Sequence, residues 1–147
     1  MQDTQRTALP HLTGLAVQLR DDGLMLDATT RRNLELDRSL TGNEDATLFA
    51  LLDHSATSMG SRELRRWLNR PLRDRELLRG RYAAIAALHE DRRHEALAAA
   101  LKPIGDVERV LARVALRSAR PRDLVALRSA LAALPALKGR LAGMDSP

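Results

Sequence analysis

Leucines recur at spacings of three and four along most of this chain, and prolines at 71, 103, 121 and 135 cut the pattern into lengths. That combination dictates amphipathic helices of short to medium length, because the 3-4 spacing puts one apolar stripe on a helix and proline stops or bends it. Leucine contributes 28 of the 147 residues, whereas Phe49, Trp67 and Tyr82 are the only aromatics. Few aromatic and β-branched residues leave little to build a large sheet. The length fits one domain with a core.

Segment by segment, the stripes predict where the helices run. Asp27 caps a helix over ATTRRNLELDRSL, with Leu36 and Leu40 on one side, and Thr41-Gly42-Asn43 breaks it. Thr47 caps the next, where Leu48, Leu51 and Leu52 follow at i, i+3, i+4. The helix holding Trp67 comes next and stops at Pro71, which pushes residue 70 out of the helical region. Asp74 caps a longer helix to about Glu90, whose stripe is Leu78, Tyr82, Ile85 and Leu88, with Arg79 and Arg81 outside it. A further segment runs from about Arg92 to Leu101. Asp106 caps a helix with Val107, Val110, Leu111 and Val114 inward. Pro121 suits the first position of the last helix and Asp123 its positive end. Leu124, Leu127, Leu131 and Leu134 form a seam that Leu137 and Leu141 continue after Pro135, which is expected to kink or split the helix. The seam either meets a partner outside this chain or packs on the preceding helices. At the N-terminus, Leu15, Val17 and Leu19 alternate, as do Leu24 and Leu26, around Asp22-Gly23. That is a β-hairpin signal. The expected fold is mostly α: an irregular multi-helix bundle with a short N-terminal β-hairpin over residues 1–26 and the helical domain over 27–147.

Chemistry is harder to find than structure. The net charge is +5, and 22 of the 24 basic residues are arginine, which permits contact with nucleic acid or an acidic surface. Cysteine is absent, which removes disulfides and thiol metal sites. No apolar run approaches the roughly 20 residues of a membrane span. His89, Glu90 and His94 spell HExxxH, one residue longer than the zinc-protease pattern, and on one helix the two histidines would stand about 140° apart. No metal ligand set follows. There is no GxxxxGK[ST] or GxGxxG for a nucleotide. Ser55, Ser58 and Ser61 near His54 read as helix caps rather than nucleophiles, so no catalytic, cofactor-binding or metal residue is assigned. The stretch 58–74, SMGSRELRRWLNRPLRD, is the densest in information. Leu64, Trp67 and Leu68 are expected to anchor it in the core, so that Trp67→Ala would cost about 3–5 kcal/mol. Arg62, Arg65 and Arg66 are expected to form a docking face; with no base-stacking aromatics around them, a sequence-independent phosphate contact is the weaker reading.

Four stretches in order, LDATTRRNLEL (26–36), TLFALLDH (47–54), SMGSRELRRWLNRPLRD (58–74) and DVERVLARVALRSARPRDL (106–124), resemble the core, or lever-base, domain of the MutS family of mismatch-repair ATPases. The resemblance spans about residues 5–138. It implies that residues 1–26 end the connector, and that the chain is a fragment of a longer cytoplasmic bacterial protein, nucleoid-associated when on DNA. ATP and magnesium, mismatched duplex DNA, a MutL-type partner and the other MutS domains would engage that longer protein, with no membrane. The family's Phe-x-Glu mismatch wedge and Walker A loop are absent here, so none of its mismatch- or ATP-binding residues can be placed on this sequence. The domain itself would be a structural and allosteric relay between the ATPase and the DNA clamp, without catalysis. The alternative is a stand-alone basic helical module that binds nucleic acid or an acidic protein partner.

Overall fold

A computed structural model describes residues 23–142 of the chain. Among them the regular structure is helical: α1 (Ala28–Asn33), α2 (Leu48–Leu52), α3 (Ser58–Asn69), α4 (Arg75–His89), α5 (Arg93–Leu101), α6 (Val107–Ala115) and α7 (Pro121–Leu141), with 3₁₀ turns at Glu44–Ala46 and Glu90–Arg92. Most helices start on a side chain that satisfies an otherwise orphaned backbone N–H. Asp27 accepts from the Thr30 amide, Thr47 from Ala50, Thr57 from Gly60, Asp74 from Glu76 and Leu77, and Asp106 from Arg109. Pro121 opens α7, where the Asp123 carboxylate accepts from the Arg120 amide at 2.9 Å.

Two expectations about the N-terminal part need correction. The first strand of the expected hairpin, residues 15–19, lies outside the described residues, and residues 24–26 are not in a strand. Gly23 instead makes a single antiparallel bridge to Leu72, and the Leu24 amide donates to the Pro71 carbonyl at 2.8 Å. The proline that ends α3 thus supplies the acceptor a hairpin partner would have supplied. The helix from Asp27 is also shorter than the apolar spacing suggests. It ends at Asn33 because Glu35 enters the left-handed region (φ 45°). The Glu35 and Leu36 amides then close back onto the Arg32 and Arg31 carbonyls, a Schellman-type stop made without glycine. The Glu35 carboxylate holds that turn by accepting from the Leu40 amide (2.6 Å) and the Ser39 hydroxyl (3.1 Å). The turn buries Leu36, whose carbonyl accepts from the Phe49 amide of α2.

Helix α4 packs on α5, α5 on α7, α6 on α7, and α2 on α3. The buried apolar residues among those described are Leu36, Val110, Ala130 and Leu137. In α7 the buried line is Asp123, Ala130 and Leu137 with half-buried Leu127 between them, so of the leucine seam Leu127 and Leu137 turn inward. Leu124, Leu131 and Leu134 are each about half exposed. Small alanine lets a helix approach its neighbours closely, so it takes an inward position that a search for large residues passes over. A partial shift also occurs in α4, where Tyr82 and Ile85 are exposed, while Leu78 and Leu88 of the expected stripe are half-buried alongside Gly80, Arg81, Ala84 and Ala87. Helix α7 runs through Pro135 without interruption.

Candidate interdomain docking site

The arginine-rich face of α3 is built on a helix capped by Thr57 and closed by Pro71. Its three expected docking arginines take three different partners within the chain. Arg62 donates through Nη1 and Nη2 to both Asp106 oxygens, at 2.6 and 2.8 Å, and through Nη2 to Glu108 at 2.6 Å. These residues are 44 and 46 positions away and begin α6, so Arg62 clasps α3 to the start of that helix. Asp106 also accepts from the Ser58 hydroxyl (3.1 Å) and caps α6 through the Arg109 amide (3.1 Å). The Arg62 guanidinium is the main reason the Asp106 carboxyl is held far below the usual carboxylate range, and Asp106 in turn raises Arg62 above the usual arginine range. Burial of the pair opposes both shifts and is outweighed.

Arg65 lies over the Phe49 ring of α2, 4.2 Å from its centroid, a cation–π contact that fixes α3 against α2. Arg66 pairs with Glu63 one turn earlier at 2.9 Å. Glu63 also accepts from the Trp67 indole N–H at 2.6 Å, and the Arg81 guanidinium of α4 sits 3.7 Å from the Trp67 ring centroid. Trp67 is 41% exposed, and Leu64 and Leu68 are half-buried. The expected buried anchor is therefore a surface stack: Arg81 and Trp67 beside Glu63 and Arg66, around a cleft of about 210 Å³. The exposure of the ring takes Trp67 out of the class of core aromatics whose truncation costs about 3–5 kcal/mol.

A second ionic clasp joins α6 to α7. Arg113 donates to both oxygens of buried Asp123, at 3.0 and 2.8 Å. The amide of Arg120 first and Arg113 second keep that carboxyl below its ordinary value. Neither clasp shows in local sequence pattern. Asp106 and Asp123 are recognisable as residues at helix starts, but a capping carboxylate has lone pairs to spare, and only the packing of the helices shows which arginine uses them.

The remaining candidates are quickly placed. Ser61 donates to Asp53 at 2.5 Å and Ser58 to Asp106, so both hydroxyls are held by carboxylates. His89 and His94 do come together, with rings stacked at 5.6 Å, because Asp91 and Arg92 are left-handed and break the helix between them. Among the described residues, however, no three His, Cys, Asp or Glu side chains converge as metal ligands.

A family model for MutS domain III matches residues 29–147. The chain belongs to the MutS domain III family. The match covers α1 to α7, which are the mostly helical architecture that family has, and it marks the chain as part of a MutS-type mismatch-repair protein. In a MutS protein this domain works with other MutS domains and with DNA. No helix among the described residues is long and apolar enough to cross a membrane.

Proposed function

We propose that this MutS core domain is a relay that passes nucleotide-dependent change from an ATPase domain to the parts of the protein that hold mismatched duplex DNA, without chemistry of its own. The observation that carries the reading is the pair of clasps, Arg62 on Asp106 and Glu108 and Arg113 on Asp123, which tie α3, α6 and α7 into one body. A relay needs elements that move as units, because coupling travels through structures whose arrangement both ends bias. Helices locked by bidentate, charge-assisted bonds meet that need better than helices held by loose apolar contact. In this reading ATP and magnesium bind elsewhere in a longer cytoplasmic protein of bacterial type, and a MutL-type partner reads the outcome. Of the three α3 arginines, Arg65 and Arg66 are the more exposed and remain the docking face toward another domain; Arg62 holds that face in place.

The experiment uses the protein encoded by the complete reading frame that contains this chain. Affinity for mismatched duplex is measured with and without ATP, in the wild type and in Arg62→Ala. The relay reading expects mismatch binding without nucleotide to persist and the ATP-induced change in affinity to shrink several-fold. A variant that keeps the full ATP response would remove the clasp from the relay. ATP turnover by this chain alone would overturn the non-catalytic assignment.

A further inference from the structure

Many arginines named so far have a side-chain partner among the described residues; Arg31, Arg32 and Arg38 have none there. Arg31 and Arg32 stand in the last turn of α1, and Arg38 follows in the turn that Glu35 initiates. All three are exposed, and among the described residues none of their guanidinium groups makes an ion pair, hydrogen bond or ring contact. They line one open cleft of about 740 Å³. Leu26 and Ala28 supply apolar surface there, and Asp37 forms part of the wall, its Oδ2 accepting from the Asn69 amide of α3 at 3.1 Å. A second cleft of about 350 Å³ shares Ala28 and Arg32 with the first and adds Leu40, which is 53% exposed. The two concavities therefore adjoin at the end of α1, with cations on the ridge and leucines on either side.

Three guanidiniums against one carboxylate, none of them in an ion pair among the described residues and all in one concavity, favour an anionic occupant, since each offers a fork that a carboxylate or phosphate can fill. The surroundings choose between the two. A single-stranded nucleic acid would call for stacking aromatics, and a carboxylate in the wall repels any phosphate backbone; this trough has no aromatic lining and keeps a carboxylate, Asp37, in its wall. Arginines flanked by Leu26 in one cleft and Leu40 in the other suit a chain that carries both acidic and apolar side chains. We propose that the trough at the end of α1 binds an extended acidic polypeptide segment, with carboxylates on Arg31, Arg32 and Arg38 and apolar side chains on Leu26, Ala28 and Leu40. The assignment does not depend on the relay reading, because it concerns a surface that neither clasp touches.

The test is fluorescence anisotropy on the full chain with a labelled short peptide of alternating Glu and Leu, its Gln-for-Glu counterpart, and a labelled DNA duplex. R31Q/R32Q/R38Q should weaken the acidic peptide by about tenfold or more, as expected for the loss of three partly exposed ion pairs. R75Q/R128Q/K138Q removes the same charge from exposed sites on α4 and α7 and should change binding by less than about twofold. D37N should tighten the acidic peptide, a gain that misfolding cannot imitate, and circular dichroism checks that the triple variants are folded. Equal losses in the two triple variants, or equal binding of the two peptides, would overturn the site. So would a result in which the duplex binds and the acidic peptide does not, with R31Q/R32Q/R38Q abolishing duplex binding.

Discussion

Asp106 has two jobs in this domain, because one carboxylate caps α6 and also receives Arg62. The two jobs can be separated. Asparagine still caps a helix but cannot pair with a guanidinium, whereas alanine loses both functions. Asp106→Ala should therefore cost about 0.5–2 kcal/mol from the cap, plus whatever Asp106→Asn costs from the ion pair alone, measured by denaturant melts. The pH dependence has a definite sign. The Asp106 carboxyl is depressed in the folded chain, so its contribution is fully present above the unfolded value of about 3.9 and is lost as pH falls toward the folded one. Asp123 is depressed too and acts in the same direction. Wild-type stability should thus fall steadily below about pH 5, and Asp106→Asn should fall less steeply over the same range. Parallel acid limbs would mean that the clasp does not persist in solution.

At the scale of elements, what could be read in advance was what is local. Asp27, Thr47, Asp74, Asp106 and Pro121 mark helix starts because a cap acts within three residues of itself. Helix ends and inward faces were less legible. The stop at Glu35 has neither glycine nor proline to announce it and depends on that residue's own carboxylate bonds. The face of α7 was legible in part: Leu127 and Leu137 of the leucine spacing turn inward, while packing also selected the small Ala130 and left Leu131 outside. A paired substitution makes that difference measurable. Leu137→Ala should destabilise the chain by about 2–5 kcal/mol, as truncation of a buried leucine does. Leu131→Ala, at 53% exposure, should cost well under half as much. The reverse ranking in equilibrium unfolding would restore the seam to the core.

Across the whole molecule, charge and apolar surface are distributed in opposite ways. Among the described residues the ion pairs of Arg62 to the start of α6 and of Arg113 to α7 reach across helices, while much of the leucine surface faces outward. On α7 alone, Leu124, Leu131 and Leu134 are each at least half exposed, and Leu111 of α6 matches them at 50%. The described residues thus hold their helices in register with a narrow buried core and specific clasps, and keep a broad apolar face unburied. Contiguous apolar surface of that kind marks contact with other protein rather than ordinary exposure. Replacing Leu124, Leu131 and Leu134 by glutamine keeps good helix formers on α7 and removes the apolar face. If the face is not part of the core, the triple variant should unfold within about 1.5 kcal/mol of wild type, the sum expected for three surface changes. It should also bind a hydrophobic dye less and scatter less light at high concentration. A loss much larger than that sum would place the seam inside the domain, and the clasps would then be fastening a conventional core instead of standing in for one.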